Sequence, residues 1–384
     1  MKRILIITRN FPPLVGGMER LVFNIFMQLN RRFTCDLVAP KGASDYVSGD
    51  HRVYECRLSP LPAFLSATLI KAIWANVRGN YSLCIAGSGI ISLIALLASK
   101  IRGIPCITFI HGLDLIAKNR LYQKLFVPAI GYSSIVIVNS SNTARLAENA
   151  GVLSDKIIIL HPGVHLPDSP VSSTEFRNEY HLTNKKILLS VGRLIARKGL
   201  AEFILESLPD IVQEHPDTVL VIIGTEPENA LHQMSGEAGR IHKAINTTHL
   251  DKHILMIGRA SEHKLHAALV ESDLFIFPLK RVEGDIEGFG MVAVEAAAFG
   301  LPSVAFSEGG VTDAIHHGKS GFLVTAGDYA GFSKTVNDYL SGHLTLSPPN
   351  GCQEHAASFQ WDVFGDKLTQ IITSAISESD RQKT

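Results

Sequence analysis

Short apolar runs closed by turn residues recur along this chain, and stretches with apolar residues three and four apart lie between them. Residues 4–8 form the first run, ended by Arg9, Asn10 and the Pro12-Pro13 pair. Leu21, Val22, Ile25, Phe26 and Leu29 then fall on one helical face. Further runs at 35–39, 83–86, 105–111 and 134–139 read as buried strands, and Ser140-Ser141-Asn142 offers an N-cap to the helix that carries Leu146. Strands that are apolar throughout, alternating with helices, predict a parallel sheet covered on both faces.

The pattern then starts again. Residues 161–173 hold three prolines and Gly163 and read as a linker. Strands follow at 187–191, 219–223, 254–257, 274–278 and 303–306, with helices expected at 200–214, 261–271 and 291–299. A last helix over 361–377 carries Val363, Phe364, Leu368, Ile371 and Ile372 at helical spacing and could cross back to the first domain. A chain of 384 residues is long for one domain. The expected organisation is a domain over 1–167, a second over 168–358 and a terminal helix over 359–384. The fold class is α/β, two doubly wound Rossmann-like domains facing each other across a cleft. Such sheets bind ligands outside the carboxyl ends of their strands.

Charge adds an asymmetry. The chain is formally neutral, which does not suggest nucleic acid as a partner. Residues 1–165 nevertheless hold 18 Lys+Arg against 8 Asp+Glu, a net of +10, and residues 166–384 hold 18 against 28, a net of −10. The basic half could face an anionic lipid or acceptor, or surface charge could simply drift between domains. Residues 58–81 place Leu61, Phe64, Leu65, Leu69, Ile73 and Trp74 beside Lys71 and Arg78, which reads as an interfacial amphipathic helix or as one packed on the sheet. No run is long and apolar enough to span a bilayer, and the run after Met1-Lys2-Arg3 is too short for a signal peptide. The five cysteines are scattered in apolar stretches without a C-x-x-C pair, as expected of core residues in a reducing compartment.

The most informative stretch runs from Asp285 to Ala296. It follows a buried strand and opens a helix. Gly288 and Gly290 would let backbone N–H groups approach a ligand, and a helix N-terminus favours an anion. Glu295, inside that helix, suits the two hydroxyls of a ribose, while Glu287 sits on the loop. Arg193 and Lys198 follow the first strand of an acidic domain, where two cations could neutralise a diphosphate. His111 ends a strand beside Gly112 and Asp114, and Gly16-Gly17 follow the first strand. Each has a plainer reading as well. The acids could be solvated, the cations could lie on a surface turn, His111 could be structural, and the glycines could form a simple turn.

Together these residues resemble a known family. Glu287 and Glu295, with seven residues between them, look like the paired glutamates of retaining glycosyltransferases of family 4 (the group 1 glycosyltransferases), which have the GT-B fold. Gly16-Gly17, His111-Gly112-Leu113-Asp114, Gly192-Arg193 through Arg197-Lys198-Gly199, and Gly309-Gly310 resemble four further landmarks of that family, in its order. The resemblance covers nearly the whole chain. It implies that Gly16 and Gly17 abut the donor phosphates, that Arg193 and Lys198 bind the diphosphate, and that His111 positions the donor sugar. It further implies that Glu287, Gly288, Phe289 and Gly290 contact the donor and that Glu295 holds the ribose. Arg197 is left facing solvent. His111 and Glu287 are the candidate catalytic residues, with Glu287 contacting the sugar without becoming a covalent nucleophile.

The chain departs from the family pattern at Gly224-Thr225-Glu226-Pro227-Glu228, at His165 and in the polar segment 280–285. No D-x-D motif or convincing histidine spacing suggests a metal, so no cofactor is expected beyond the nucleotide diphosphate sugar as co-substrate. The expected activity is that of a hexosyltransferase (EC 2.4). It moves a sugar from a UDP- or GDP-linked donor to a saccharide or lipid-linked acceptor with retention, in cell-surface polysaccharide or lipopolysaccharide assembly. The expected location is cytoplasmic, with peripheral contact to an anionic inner membrane. A non-hydrolysing sugar-nucleotide epimerase and a non-catalytic nucleotide-sugar-binding scaffold are the rival readings.

Overall fold

The computed structural model describes residues 2–167, 174–226 and 236–383. The chain forms two compact units, one of residues 1–163 with 361–384 and one of residues 164–360.

The first unit is built on a seven-stranded parallel sheet. Its strands are β1 (Arg3–Ile7), β2 (Thr34–Pro40), β3 (Val53–Cys56), β4 (Tyr81–Ala86), β5 (Cys106–Ile110), β6 (Ile135–Val138) and β7 (Ile157–Ile159), in the order β3-β2-β1-β4-β5-β6-β7. The central strands are buried almost to the last side chain because helices cover both faces, which is why they read as unbroken apolar runs. The expected helical face of Leu21 to Leu29 lies on the helix Gly17–Asn30 and is wholly buried. Ser140 caps the helix Ser141–Asn149 by accepting a hydrogen bond from the Thr143 amide at 3.1 Å. The sequence reading passed over β3 and β7. They are edge strands of four and three residues, too short to show a period. The helix Trp361–Arg381 packs on Gly17–Asn30 and completes this unit.

The second unit carries a six-stranded parallel sheet of β8 (Lys186–Val191), β9 (Thr218–Ile223), β10 (Ile254–Gly258), β11 (Leu274–Phe277), β12 (Ser303–Phe306) and β13 (Gly321–Val324), in the order β10-β9-β8-β11-β12-β13. The single helix expected over 200–214 is two helices, Leu200–Glu206 and Leu208–Glu214. Pro209 is the reason, since it has no N–H and its ring would crowd the carbonyl four residues back. Ser207 sits at the break and donates its hydroxyl to the Tyr329 carbonyl at 2.9 Å.

All five cysteines are buried and free, and burial pushes the Cys106 and Cys352 thiols up to about 12, far from thiolate chemistry. In each sheet the chain turns back on itself beside its first strand, between β1 and β4 and between β8 and β11. Loops that leave neighbouring strands in opposite directions open a crevice at such a point.

Candidate functional site

In the second unit the crevice lies between the loop after β8 and the loop after β11. Gly192 leaves β8 at φ +142, Arg193 is exposed, and a turn at Ala196–Lys198 ends at Gly199 with φ +67. A Cβ at Gly199 would collide with the Pro278 carbonyl, so the turn lies directly against the end of β11. Gly224 is held as tightly, since a Cβ there would reach the Gly192 carbonyl carbon at 2.8 Å. These contacts need backbones without side chains, and they bring Lys198 to Glu287 across 89 residues of sequence.

Lys198 donates to Glu287 Oε2 at 2.8 Å, and its ammonium lies 4.4 Å from the centroid of the Phe277 ring. Both charged side chains are largely buried, at 12% and 14% exposure. Burial alone would raise the Glu287 pKa, but Lys198 and Arg197 outweigh it and hold the carboxyl down at about 2. Burial pushes the Lys198 ammonium below the usual lysine range, and the Glu287 carboxylate works against that shift.

Arg197 does not face solvent. Its side chain is 9% exposed, donating from Nη1 to Asp285 Oδ1 at 2.7 Å and from Nε to Glu287 Oε2 at 3.2 Å. The physical reason is the turn itself. Gly199 folds the chain so sharply that successive side chains at 197 and 198 both meet the acidic loop after β11. The sequence reading missed Asp285 as a partner for the same reason, although two acids at 285 and 287 opposite two adjacent cations was an available signal.

The loop from Glu287 to Gly290 leads into the helix Met291–Ala298, and Gly290 is its N-cap with φ +92. Phe289 is 2% exposed and belongs to the core, its ring 5.6 Å from that of Phe359, so only its backbone is available to a ligand. Gly288 presses on Gly310, where a Cβ would lie 2.6 Å from the Gly288 carbonyl carbon. The Gly310 amide donates to the Glu287 carbonyl at 2.9 Å. Gly309-Gly310 therefore form the seat of the Glu287 loop. Glu295 lies in the second turn of the helix, partly buried. Pro227 and Glu228 lie outside the described residues.

In the first unit, His111 is buried after β5, and Gly112 turns the chain at φ +98. The His111 Nε2 lies 2.9 Å from the Gly87 carbonyl oxygen. A carbonyl only accepts, so Nε2 carries the proton and Nδ1 is left as an acceptor, buried and without a partner. Asp114 holds main chain rather than the ring: it accepts from the His111 amide at 3.0 Å and from the Gly89 amide at 3.1 Å. Ser88 Oγ and Tyr122 Oη, on neighbouring loops, are also buried without partners. Gly16 and Gly17 begin the helix after β1. A Cβ on Gly17 would meet nothing within 4 Å, whereas one on Gly16 would strike Glu19, which Asn10 Nδ2 holds at 2.7 Å.

An anion-ready turn with an exposed arginine at one switch point, and an orphan histidine acceptor beside the other, suit a phosphorylated and polyhydroxylated ligand. Comparison with known proteins agrees. Residues 172–356 match the family model described as "Glycosyl transferases group 1", and residues 15–167 match "Glycosyltransferase Family 4". The chain belongs to the group 1, family 4 glycosyltransferases. Among its relatives is the GDP-mannose-dependent alpha-(1-6)-phosphatidylinositol monomannoside mannosyltransferase of Mycolicibacterium smegmatis, 25% identical over 387 residues, covering 96% of this chain and 98% of the relative. Among solved structures, Anabaena Alr3699/HepE in complex with UDP and glucose superposes with a TM-score of 0.78 at 20% identity, covering 97% of this chain and 100% of that one. The apo lipopolysaccharide outer core galactosyltransferase WaaB does so with a TM-score of 0.71 at 16% identity, covering 97% and 99%. These likenesses establish the GT-B fold, two Rossmann-like units each on a parallel sheet. The chain is a glycosyltransferase (EC 2.4) that uses a nucleotide sugar.

Proposed function

We propose that this glycosyltransferase is a retaining hexosyltransferase that passes a sugar from a UDP- or GDP-linked donor to a saccharide or lipid-linked acceptor. The observation that carries the reading is the Lys198–Glu287 pair with Arg193 exposed beside it. Arg193 and Lys198 take the diphosphate, and the amides at Phe289 and Gly290 add the helix N-terminus. As the anomeric C–O bond breaks, its electron pair leaves with the nucleoside diphosphate, and these cations stabilise the charge. They do the work a divalent cation would do elsewhere, so transfer proceeds without metal. Glu295 receives the ribose, Glu287 contacts the sugar, and His111 Nδ1 accepts a hydrogen bond from a sugar hydroxyl. Gly16 and Gly17 let the donor phosphates come close. The acceptor hydroxyl attacks from the face the phosphate leaves, and its proton passes to the departing phosphate oxygen, so configuration is retained.

The relatives set the range of substrates. One is named for GDP-mannose and a phosphatidylinositol mannoside, one structure holds UDP and glucose, and one is named for lipopolysaccharide core. A role in cell-surface polysaccharide or lipopolysaccharide assembly fits that company. A surface feature favours a lipid-linked acceptor at the cytoplasmic face of a membrane. No helix among the described residues is long and apolar enough to cross one. The helix Leu61–Arg78, however, buries Phe64, Thr68, Ala72 and Ala75 and turns Ile70, Trp74 and Val77 outward, with the Arg78 guanidinium 4.3 Å from the Trp74 ring centroid. An outward apolar stripe on a half with net charge +10 fits peripheral binding to anionic lipid.

The test is binding and slow hydrolysis of a panel of UDP- and GDP-sugars in EDTA. One donor that binds and turns over supports the reading, and no binding to any donor refutes it. Flotation with anionic liposomes tests the membrane surface separately, and failure to co-float removes it.

A further inference from the structure

The clasp between Arg197, Asp285 and Glu287 has no role in the reading above, and it rests on that reading of the donor site. Four charges meet there: Arg197 and Lys198 from the turn after β8, Asp285 and Glu287 from the loop after β11. They balance. Arg193 lies next to them as an additional cation, and Glu308, after β12, lines the same small cavity.

Glu287 Oε2 accepts from both cations at once. A diphosphate that arrives beside Arg193 competes for Lys198. Lys198 can turn to it only if Glu287 keeps another counter-cation, since an unpaired carboxylate at this burial is costly. Arg197 is built to stay. Its second edge is tied to Asp285, and its carbonyl accepts from the Lys280 amide at 2.9 Å. Lys280 is pinned in turn to Glu202 at 2.5 Å, and Asp285 is fixed by its amide donating to the Val282 carbonyl at 3.1 Å. A planar fork can hold two carboxylates together, which a lysine cannot do in the same geometry.

We propose that Arg197 is a positioning residue: anchored by Asp285, it keeps Glu287 ionised and in place while Lys198 transfers its contact from Glu287 to the donor diphosphate. The polar segment 280–285, where the chain departs from its family's pattern, is then the anchor of this device.

The experiment is donor kinetics against pH for the full chain and for Arg197→Gln, Arg197→Lys and Asp285→Asn. In Arg197→Gln, Lys198 has to stay on Glu287, so donor KM rises about tenfold and the acid limb of kcat/KM moves up by about one unit or more. Arg197→Lys restores the limb but leaves KM raised, because charge returns without the fork. Asp285→Asn raises KM several-fold, roughly as the lysine variant does, with the limb near its original place. An unchanged KM and limb in Arg197→Gln overturns the proposal. So does a fall in kcat alone with the limb unmoved, which is what a merely structural arginine gives. If Arg197→Gln does not fold, Asp285→Asn decides, and a wild-type KM there overturns the role. A wild-type protein that binds no nucleotide sugar refutes the donor site itself, which is a different result from a working enzyme indifferent to residue 197.

Discussion

Replacing Gly310 by alanine isolates what seats the Glu287 loop. Gly310 has φ −83 and ψ 0, a conformation alanine adopts freely, so the substitution adds no backbone strain. What it adds is a methyl group 2.6 Å from the Gly288 carbonyl carbon and 2.8 Å from Phe289 Cα. Carbon atoms are comfortable at about 3.5–4.0 Å, so one of the two loops has to move by roughly 1 Å. Neither neighbour is a flexible side chain tip; both are backbone, in the loop that carries Glu287. Overpacking of this kind costs about 1–3 kcal/mol. A unit of this size has its melting temperature lowered by about 2–4 °C per kcal/mol, so a fall of roughly 2–12 °C is expected. The larger effect falls on function, because the displaced loop carries Glu287 away from Lys198. The assay is calorimetry with and without the donor that the panel identifies. Gly310→Ala is expected to melt lower and to lose the stabilisation that donor gives the wild type. Gly17→Ala is the contrast: its methyl meets open space within 4 Å, so it should melt as wild type while losing donor affinity. Gly310→Ala with unchanged melting and unchanged donor stabilisation would refute the packing argument.

Two further outcomes rest on the same site. Arg193→Ala should leave stability within about 0.5 kcal/mol, because the side chain is exposed, whereas Lys198→Ala should destabilise the second unit by about 3 kcal/mol, because Glu287 loses a buried partner; both should lose donor affinity. Equal melting temperatures for the two variants would contradict the burial of the pair. The depressed pKa of Glu287 also predicts an acid dependence. Its contribution is fully present above its ordinary value of 4.5 and is lost as pH falls toward about 2, amounting to about 3 kcal/mol over that window. The stability gap between wild type and Glu287→Gln should therefore close between pH 5 and pH 2, and a constant gap would count against the ionised buried pair.

Most of the architecture was legible in the sequence. Runs such as 187–191 and 219–223 are apolar at every position because both faces of their sheet are covered, and that signal survives without tertiary information. The two-helix break at Ser207 was legible in principle, since Pro209 alone explains it. The short edge strands were not, because three or four residues carry no period. The candidate site divided differently. Residue types and their order along the chain marked Arg193, Lys198, Glu287 and His111, since each stands where a strand ends and a loop begins.

Which charges meet was decided by the tertiary structure. The turn at Gly199 lies against the end of β11 only because β8 and β11 are neighbours in the sheet, and nothing local in either segment specifies that pairing. The same adjacency turned Arg197 from an expected surface residue into the buried counter-cation of Asp285 and Glu287. In the first unit it set the His111 ring against the Gly87 carbonyl, which fixes the tautomer and leaves Nδ1 as the acceptor. Sequence determines which groups can be charged, and sheet order determines which of them are brought within 3 Å and out of water, where charge is costly enough to matter.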